Sequence, residues 1–128
     1  MGTSIFEALG GDAALAAAVD GLYDRLTVDP VTESYFRGVA IKDLRRHLRI
    51  FLAAALGGPA VYRGRDMRTA HAGLGVTSEA WDRTVGHVAG VLADLGVEAE
   101  LAGRVIGHLA PLRGQIVTAD EPVAALAA

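Results

Sequence analysis

The chain of 128 residues contains no cysteine. Disulfide staples, thiolate metal sites and thiol nucleophiles are therefore excluded. Aromatic residues make up only 5% of the sequence, so the few that occur mark special packing or contact with a ligand. Nowhere do about 18 uncharged apolar residues run together, and no segment is expected to span a membrane. The opening MGTSIFEALGGDAA lacks a basic region followed by a long apolar run, so it is not a secretory signal. Its Met1-Gly2 start has Phe6 where a myristoylation signal needs Ser or Thr. A cytoplasmic location is expected, which the cysteine-free composition suits. Long alternating runs and Asn-Gly turns, the marks of strands and hairpins, are nearly absent. So are the phosphate-binding GxxxxGK[ST], HExxH, GxSxG and calcium-loop patterns. Gly73-Leu74-Gly75 has neither a third glycine nor a preceding strand, and the acidic residues are scattered, with no carboxylate pair suited to acid–base work. A net charge of −3 counts against a nucleic-acid partner.

Hydrophobic residues account for 52% of the chain, enough for one domain with its own core at this length. Their spacing is helical nearly throughout. Ser4 followed by Glu7 is a capping-box pattern opening a short helix that stops at Gly10-Gly11. Asp12 is the expected N-cap of a second helix whose stripe is Leu15, Val19, Leu22, Tyr23 and Leu26. Val28-Asp29-Pro30 breaks it, and a short turn carries Glu33 to Phe36. A third helix is expected over 41–56, with Leu44, Leu48, Phe51, Leu52 and Ala55 inward and Arg45, Arg46 and Arg49 turned to water. Gly57-Gly58-Pro59 ends it, and a loop with Tyr62 follows. Asp66 caps a short segment that sets Met67, His71 and Leu74 on one side. Thr77 or Ser78 opens a long helix to Leu95. A last helix runs over 98–118, kinked by Pro111. Residues 1–118 thus form the domain, and 119–128 read as a frayed, disordered tail.

His71 carries the functional question. A lone histidine on an apolar face can be structural, satisfied by a backbone carbonyl. Here Met67 and Leu74 flank it one turn away, on a short segment bounded by glycine-rich breaks. That arrangement also suits an imidazole held towards a cofactor iron. Tyr23 is open in the same way: it is either a core tyrosine bonded to a carbonyl or a hydrogen-bond donor to a ligand.

Several separated motifs occur in order: ALGGDAALAAAVDGLYDRL, then YF, then FLAAALGGPAVYRGRDMRTAH, then GHVAG and LAPLRG. Together they resemble a bacterial truncated haemoglobin of the first group, over roughly residues 4 to 118. The resemblance implies an all-α fold, a truncated globin whose two-over-two helical sandwich encloses haem b. It makes His71 the proximal iron ligand, Phe36 the ring stacked on the porphyrin, and Tyr23 the distal donor to iron-bound O2. A charge-assisted bond of that kind contributes about 1.5–3 kcal/mol. Leu44, Leu48, Phe51 and Met67 would pack on the haem, and Tyr62 and Arg65 would either reach a propionate or serve only to pack the loop.

The sequence also departs from the family. Leu44 and Leu48 stand where many members carry glutamine or another polar group, leaving Tyr23 to act alone unless His47 helps. His47 matches a histidine that binds iron as a sixth ligand in the cyanobacterial and algal branch. Its alternative is a place on the haem rim, near a propionate or in water. Where those relatives attach haem covalently through a later histidine, this chain has Arg113, so haem is expected to be non-covalent. His87 is expected to pack or face solvent, and His108 lies beside the inward stripe of the last helix.

The implied function is binding of O2, NO and CO at ferrous iron, with nitric oxide dioxygenase activity as an enzymatic extension. That activity needs a separate electron-donating reductase, because nothing in the chain resembles a flavin or nicotinamide domain. The alternative is a six-coordinate, bis-histidyl redox or sensor protein using His47. No nucleic-acid or membrane partner is expected, and the chain should be a monomer or weak dimer.

Overall fold

A computed structural model describes residues 3–62 and 66–119. Helix α1 (Ile5–Leu9) starts where the Ser4 hydroxyl accepts from the Glu7 amide at 3.1 Å. Helix α2 (Gly11–Leu26) begins two residues earlier than an Asp12 cap would place it, with Gly10 in the cap position. Gly10 and Gly11 both adopt positive φ (117° and 77°), which swings the chain directly into the helix. Asp12 therefore lies in the first turn and is not the cap; its charge still suits the positive helix end.

After α2 the chain is held by side chains rather than by regular structure. Asp29 Oδ1 accepts from the Val31 amide at 2.9 Å, and the buried Thr32 hydroxyl donates to the Leu26 carbonyl at 2.7 Å. A 3₁₀ turn, Glu33–Phe36, leads on to α3 (Ile41–Ala55). At the end of α3 the inward positions fall to Ala53 and Leu56, and Ala55, expected inside, is exposed.

Helix α4 (Met67–His71) is a single turn, capped by the Asp66 carboxylate accepting from the Thr69 amide at 2.7 Å. Ala72 is extended and Gly73 takes φ +80°, so the helix ends there. Leu74 consequently leaves the helix and is 48% exposed, and it does not wall in His71 as the spacing predicts. Thr77 caps α5 (Ser78–Asp94) through the Ala80 amide. The last expected helix is divided into α6 (Ala99–Leu109), a 3₁₀ turn (Ala110–Leu112) and α7 (Arg113–Ile116). Pro111 lacks an amide hydrogen and its ring crowds a preceding carbonyl, so the helix tightens into a 3₁₀ turn where a kink was expected, while the backbone stays right-handed at Leu109, Ala110, Leu112 and Arg113. The amides of Thr118 and Ala119 both reach the Val76 carbonyl. Of the expected tail at 119–128, Ala119 is held by this bond, and 120–128 lie outside the described residues.

Helix α2 packs on α3 and crosses α5, α5 packs on α6, and α1 closes the bottom against α2 and α6. Helix α4 rests on α7. The core follows this division. Ile5, Phe6, Leu15, Ala53, Leu56, Leu92 and Val105 form one cluster. Val19, Leu22, Tyr23 and Leu26 form a second, joined by Phe36, Leu44 and Leu48, and Val76, Ala80 and Ile116 form a third, joined by Met67 and Trp81. Leu52 and Val88 pack against both of the first two clusters, so those two are joined and the division runs between them and the third. Among the described residues no helix is long and apolar enough to cross a membrane.

Candidate functional site

The sequence-predicted site residues fall on two sides of this divided core. On one side α2 contributes Tyr23, 7% exposed, with Phe36 edge-on to its ring at 5.7 Å between centroids and 83° between planes. Leu44 and Leu48 of α3 pack against the same cluster but remain only half-buried, as do Phe51 and Leu52. Phe51 in turn meets the Tyr62 ring edge-on at 5.2 Å. On the other side are Met67, packed into the third cluster, and His71, half-buried at the end of α4. Large apolar side chains left half-covered along one helix face bury fully only against something further.

His71 Nδ1 lies 2.8 Å from the Met67 carbonyl, one turn back on the same helix. A carbonyl only accepts, so Nδ1 carries the hydrogen, and in the neutral ring the lone pair is on Nε2. Nε2 has no partner among the described residues. The carbonyl bond alone suits a structural histidine equally well. The unpartnered second nitrogen is what suits a metal ligand, whose ring is typically fixed through its other nitrogen.

Burial pushes the Tyr23 phenol up to about 12, against an opposing pull from the Arg45 guanidinium. The Tyr23 hydroxyl has no hydrogen-bond partner among the described residues. No inaccessible side-chain nitrogen or oxygen among them lacks a partner, so this hydroxyl oxygen keeps some accessible surface. A buried tyrosine that offers its proton outward is suited to donating to a ligand.

Three observations therefore fit a haem: the divided core, the free Nε2 of His71 and the unpartnered Tyr23 hydroxyl. Among the described residues no group of three or more His, Asp or Glu could hold a bare metal ion. An iron held through His71 would need its remaining ligands from a porphyrin.

The other predicted positions are placed as follows. His47 is exposed on α3, between the inward Leu44 and Leu48. Arg65 lies outside the described residues. His108 is exposed, its Nδ1 3.0 Å from the Arg104 carbonyl. Arg113 donates to the Ser78 hydroxyl at 2.6 Å.

Two clusters escaped the sequence. Arg45, expected in water, forks across Asp20 and Asp24 at 3.1 and 3.0 Å and lies 6.0 Å from the Tyr23 ring centroid. The i, i+4 spacing of Asp20 and Asp24 beside Tyr23 was the available signal. Asp29, read only as a helix breaker, is buried and accepts from Arg83 and from His87 Nε2, the latter at 2.6 Å. The Arg83 guanidinium, then the Val31 amide and His87, hold its carboxyl well below the usual carboxylate range. His87 is thus a tether between α5 and the loop after α2.

These helices and their divided core define a small globin of the two-over-two type. The model of the bacterial-like globin family matches residues 4–118. The group 1 truncated haemoglobin GlbN of Mycolicibacterium paratuberculosis is 35% identical over 117 residues, which is 91% of this chain and 86% of the relative. The crystal structure of the Tetrahymena pyriformis truncated haemoglobin in its Fe(III) form superposes with a TM-score of 0.87 at 27% identity, covering 90% of this chain and 98% of that one. A Synechococcus two-over-two haemoglobin, described in the cyanomet state with covalently attached haem, superposes at 0.80 with 28% identity, covering 84% and 91%. The chain belongs to the bacterial-like globins, and within them to the group 1 truncated haemoglobins, which are haem globins.

Proposed function

We propose that the chain binds diatomic gases at a haem b held by His71, with Tyr23 as the single distal hydrogen-bond donor. The observation that carries this reading is the His71 ring, fixed at Nδ1 by the Met67 carbonyl with Nε2 left free. When bound, the haem supplies a ferrous iron that takes up O2, NO or CO and can turn over O2 and NO to nitrate.

The chain's own residues do the rest. Phe36, Leu44, Leu48, Phe51 and Met67 cover the porphyrin with apolar surface and keep water out. Tyr62, stacked edge-on against Phe51, stands at the rim. Tyr23 stays protonated through the physiological range, as an ordinary phenol does, and burial, which raises it to about 12, widens that margin. Leucine at 44 and 48 offers no second polar contact to the ligand.

Haem attachment is non-covalent in this reading. Arg113 has no imidazole to bond a vinyl group, and its guanidinium is engaged by Ser78. Dioxygenase turnover requires a separate reductase to restore ferrous iron.

His47 decides between this reading and a bis-histidyl redox or sensor protein. Its exposed position on α3 favours the rim role. The deciding measurement is the optical spectrum of the haem-loaded protein, ferric and dithionite-reduced, for wild type and His47→Ala. High-spin spectra in both are expected. A low-spin wild type that turns high-spin in the variant would make His47 the sixth ligand and favour the redox reading.

A further inference from the structure

Tyr23 is placed on α2 by more than its own helix. Its ring has Phe36 edge-on at 5.7 Å, and it has the Arg45 guanidinium 6.0 Å from its centroid, reaching over from α3. That guanidinium is not free to wander. One nitrogen is 3.1 Å from Asp20 and another 3.0 Å from Asp24. These two carboxylates are one turn apart on α2, so the planar fork spans the turn that carries Tyr23. A lysine could reach one carboxylate but could not bridge both in a plane.

We propose that Arg45 is a positioning residue for Tyr23, its fork across Asp20 and Asp24 holding the Tyr23 ring against Phe36 and so fixing where the hydroxyl points. The proposal rests on the reading of Tyr23 as the distal donor and names what sets that donor's geometry. The two carboxylates are more than half exposed, and exposed ion pairs contribute little to stability. The contribution of Arg45 is therefore orientation rather than stability. Because the pairs are exposed, salt should loosen the fork.

The test uses the haem-loaded protein, CO-bound for the spectra and O2-bound for the dissociation rate, with Arg45→Met, Arg45→Lys, Tyr23→Phe and the Arg45→Met/Tyr23→Phe double variant. Three quantities are read: the ring resonances of Tyr23 in 13C-tyrosine spectra, the C–O stretching frequency, and the O2 dissociation rate. Arg45→Met should move the Tyr23 ring resonances, shift the C–O stretch towards that of Tyr23→Phe, and raise O2 dissociation about two- to fivefold. Arg45→Lys should not restore the wild-type values. About 0.5 M sodium chloride should reproduce part of the change in wild type and none of it in Arg45→Met. In the Tyr23→Phe background, Arg45→Met should add nothing to the O2 rate.

Unmoved Tyr23 resonances in Arg45→Met would overturn the proposal. So would an Arg45→Met effect on O2 dissociation that persists undiminished without the Tyr23 hydroxyl. If the resonances move while Tyr23→Phe itself leaves O2 dissociation unchanged, Arg45 still positions the ring and the distal-donor reading of Tyr23 is what fails.

Discussion

The carbonyl of Met67 accepts from His71 Nδ1 at 2.8 Å, across one turn of a helix only five residues long. Among the described residues no other element supplies the ring with a hydrogen-bond partner. The bond needs the short helix to exist, and the Asp66 cap supplies its first turn with an acceptor for the Thr69 amide.

His71→Gly should therefore abolish haem retention, and exogenous imidazole should restore a Soret band, because the cavity left behind accepts the free ring. Haem retained by His71→Gly at wild-type strength would show that another residue holds the iron. Asp66→Ala should weaken haem retention without abolishing it, since removing an N-cap costs about 1 kcal/mol. Rates of haem transfer to an acceptor globin would measure this.

Replacing Tyr23 with Phe should raise the O2 dissociation rate about 10- to 150-fold, the equivalent of losing a bond of about 1.5–3 kcal/mol. Stopped-flow displacement of O2 by CO measures it directly. With the phenol raised to about 12 by burial, its neutral, proton-bearing form persists below that value. The O2 rate should hence be flat between about pH 7 and 10, where an ordinary tyrosine begins to ionise. A rise in that window would point to a group other than Tyr23.

Asp29 makes a pH-dependent contribution to stability of definite sign. Its folded carboxyl is held below the ordinary value of 3.8, chiefly by Arg83. The unfolded chain therefore takes up this proton first as pH falls. The stabilisation is present above about pH 4 and is lost progressively below it. Urea unfolding of wild type and Asp29→Asn should differ at neutral pH and converge in acid. Parallel curves down to the acid limit would refute the assignment.

Two glycines should respond oppositely to alanine. A Cβ at Gly58 would lie 2.8 Å from the Phe6 ring and 2.9 Å from the Ala53 carbonyl. Gly58→Ala should destabilise by about 1–3 kcal/mol, as overpacking does. Gly86, inside α5, has nothing within 4 Å of its would-be Cβ. There the gain in helix propensity should stabilise by up to about 1 kcal/mol. Denaturant midpoints of the two variants on either side of wild type would bear this out.

Sequence by itself determined the helices and most of their ends, because the signals are local. Ser4, Asp66 and Thr77 cap within three residues, and Gly-Gly and Pro act on their immediate neighbours. The order of motifs around Tyr23 and His71 likewise lies along the chain, which is why the family was legible. Helical spacing even brought Met67 and His71 to one face. Tertiary structure decided what spacing cannot encode. Ala55 matches the inward stripe but is exposed, because its covering neighbours would have to come from other segments, and Leu74 is exposed because α4 ends before it. Arg45 bridges to carboxylates 21 and 25 residues away, and Asp29 finds Arg83 and His87 54 and 58 residues on. Charged side chains read as solvated until a partner of opposite sign is brought within about 4 Å, and only the packing of α2 against α3 and α5 does that.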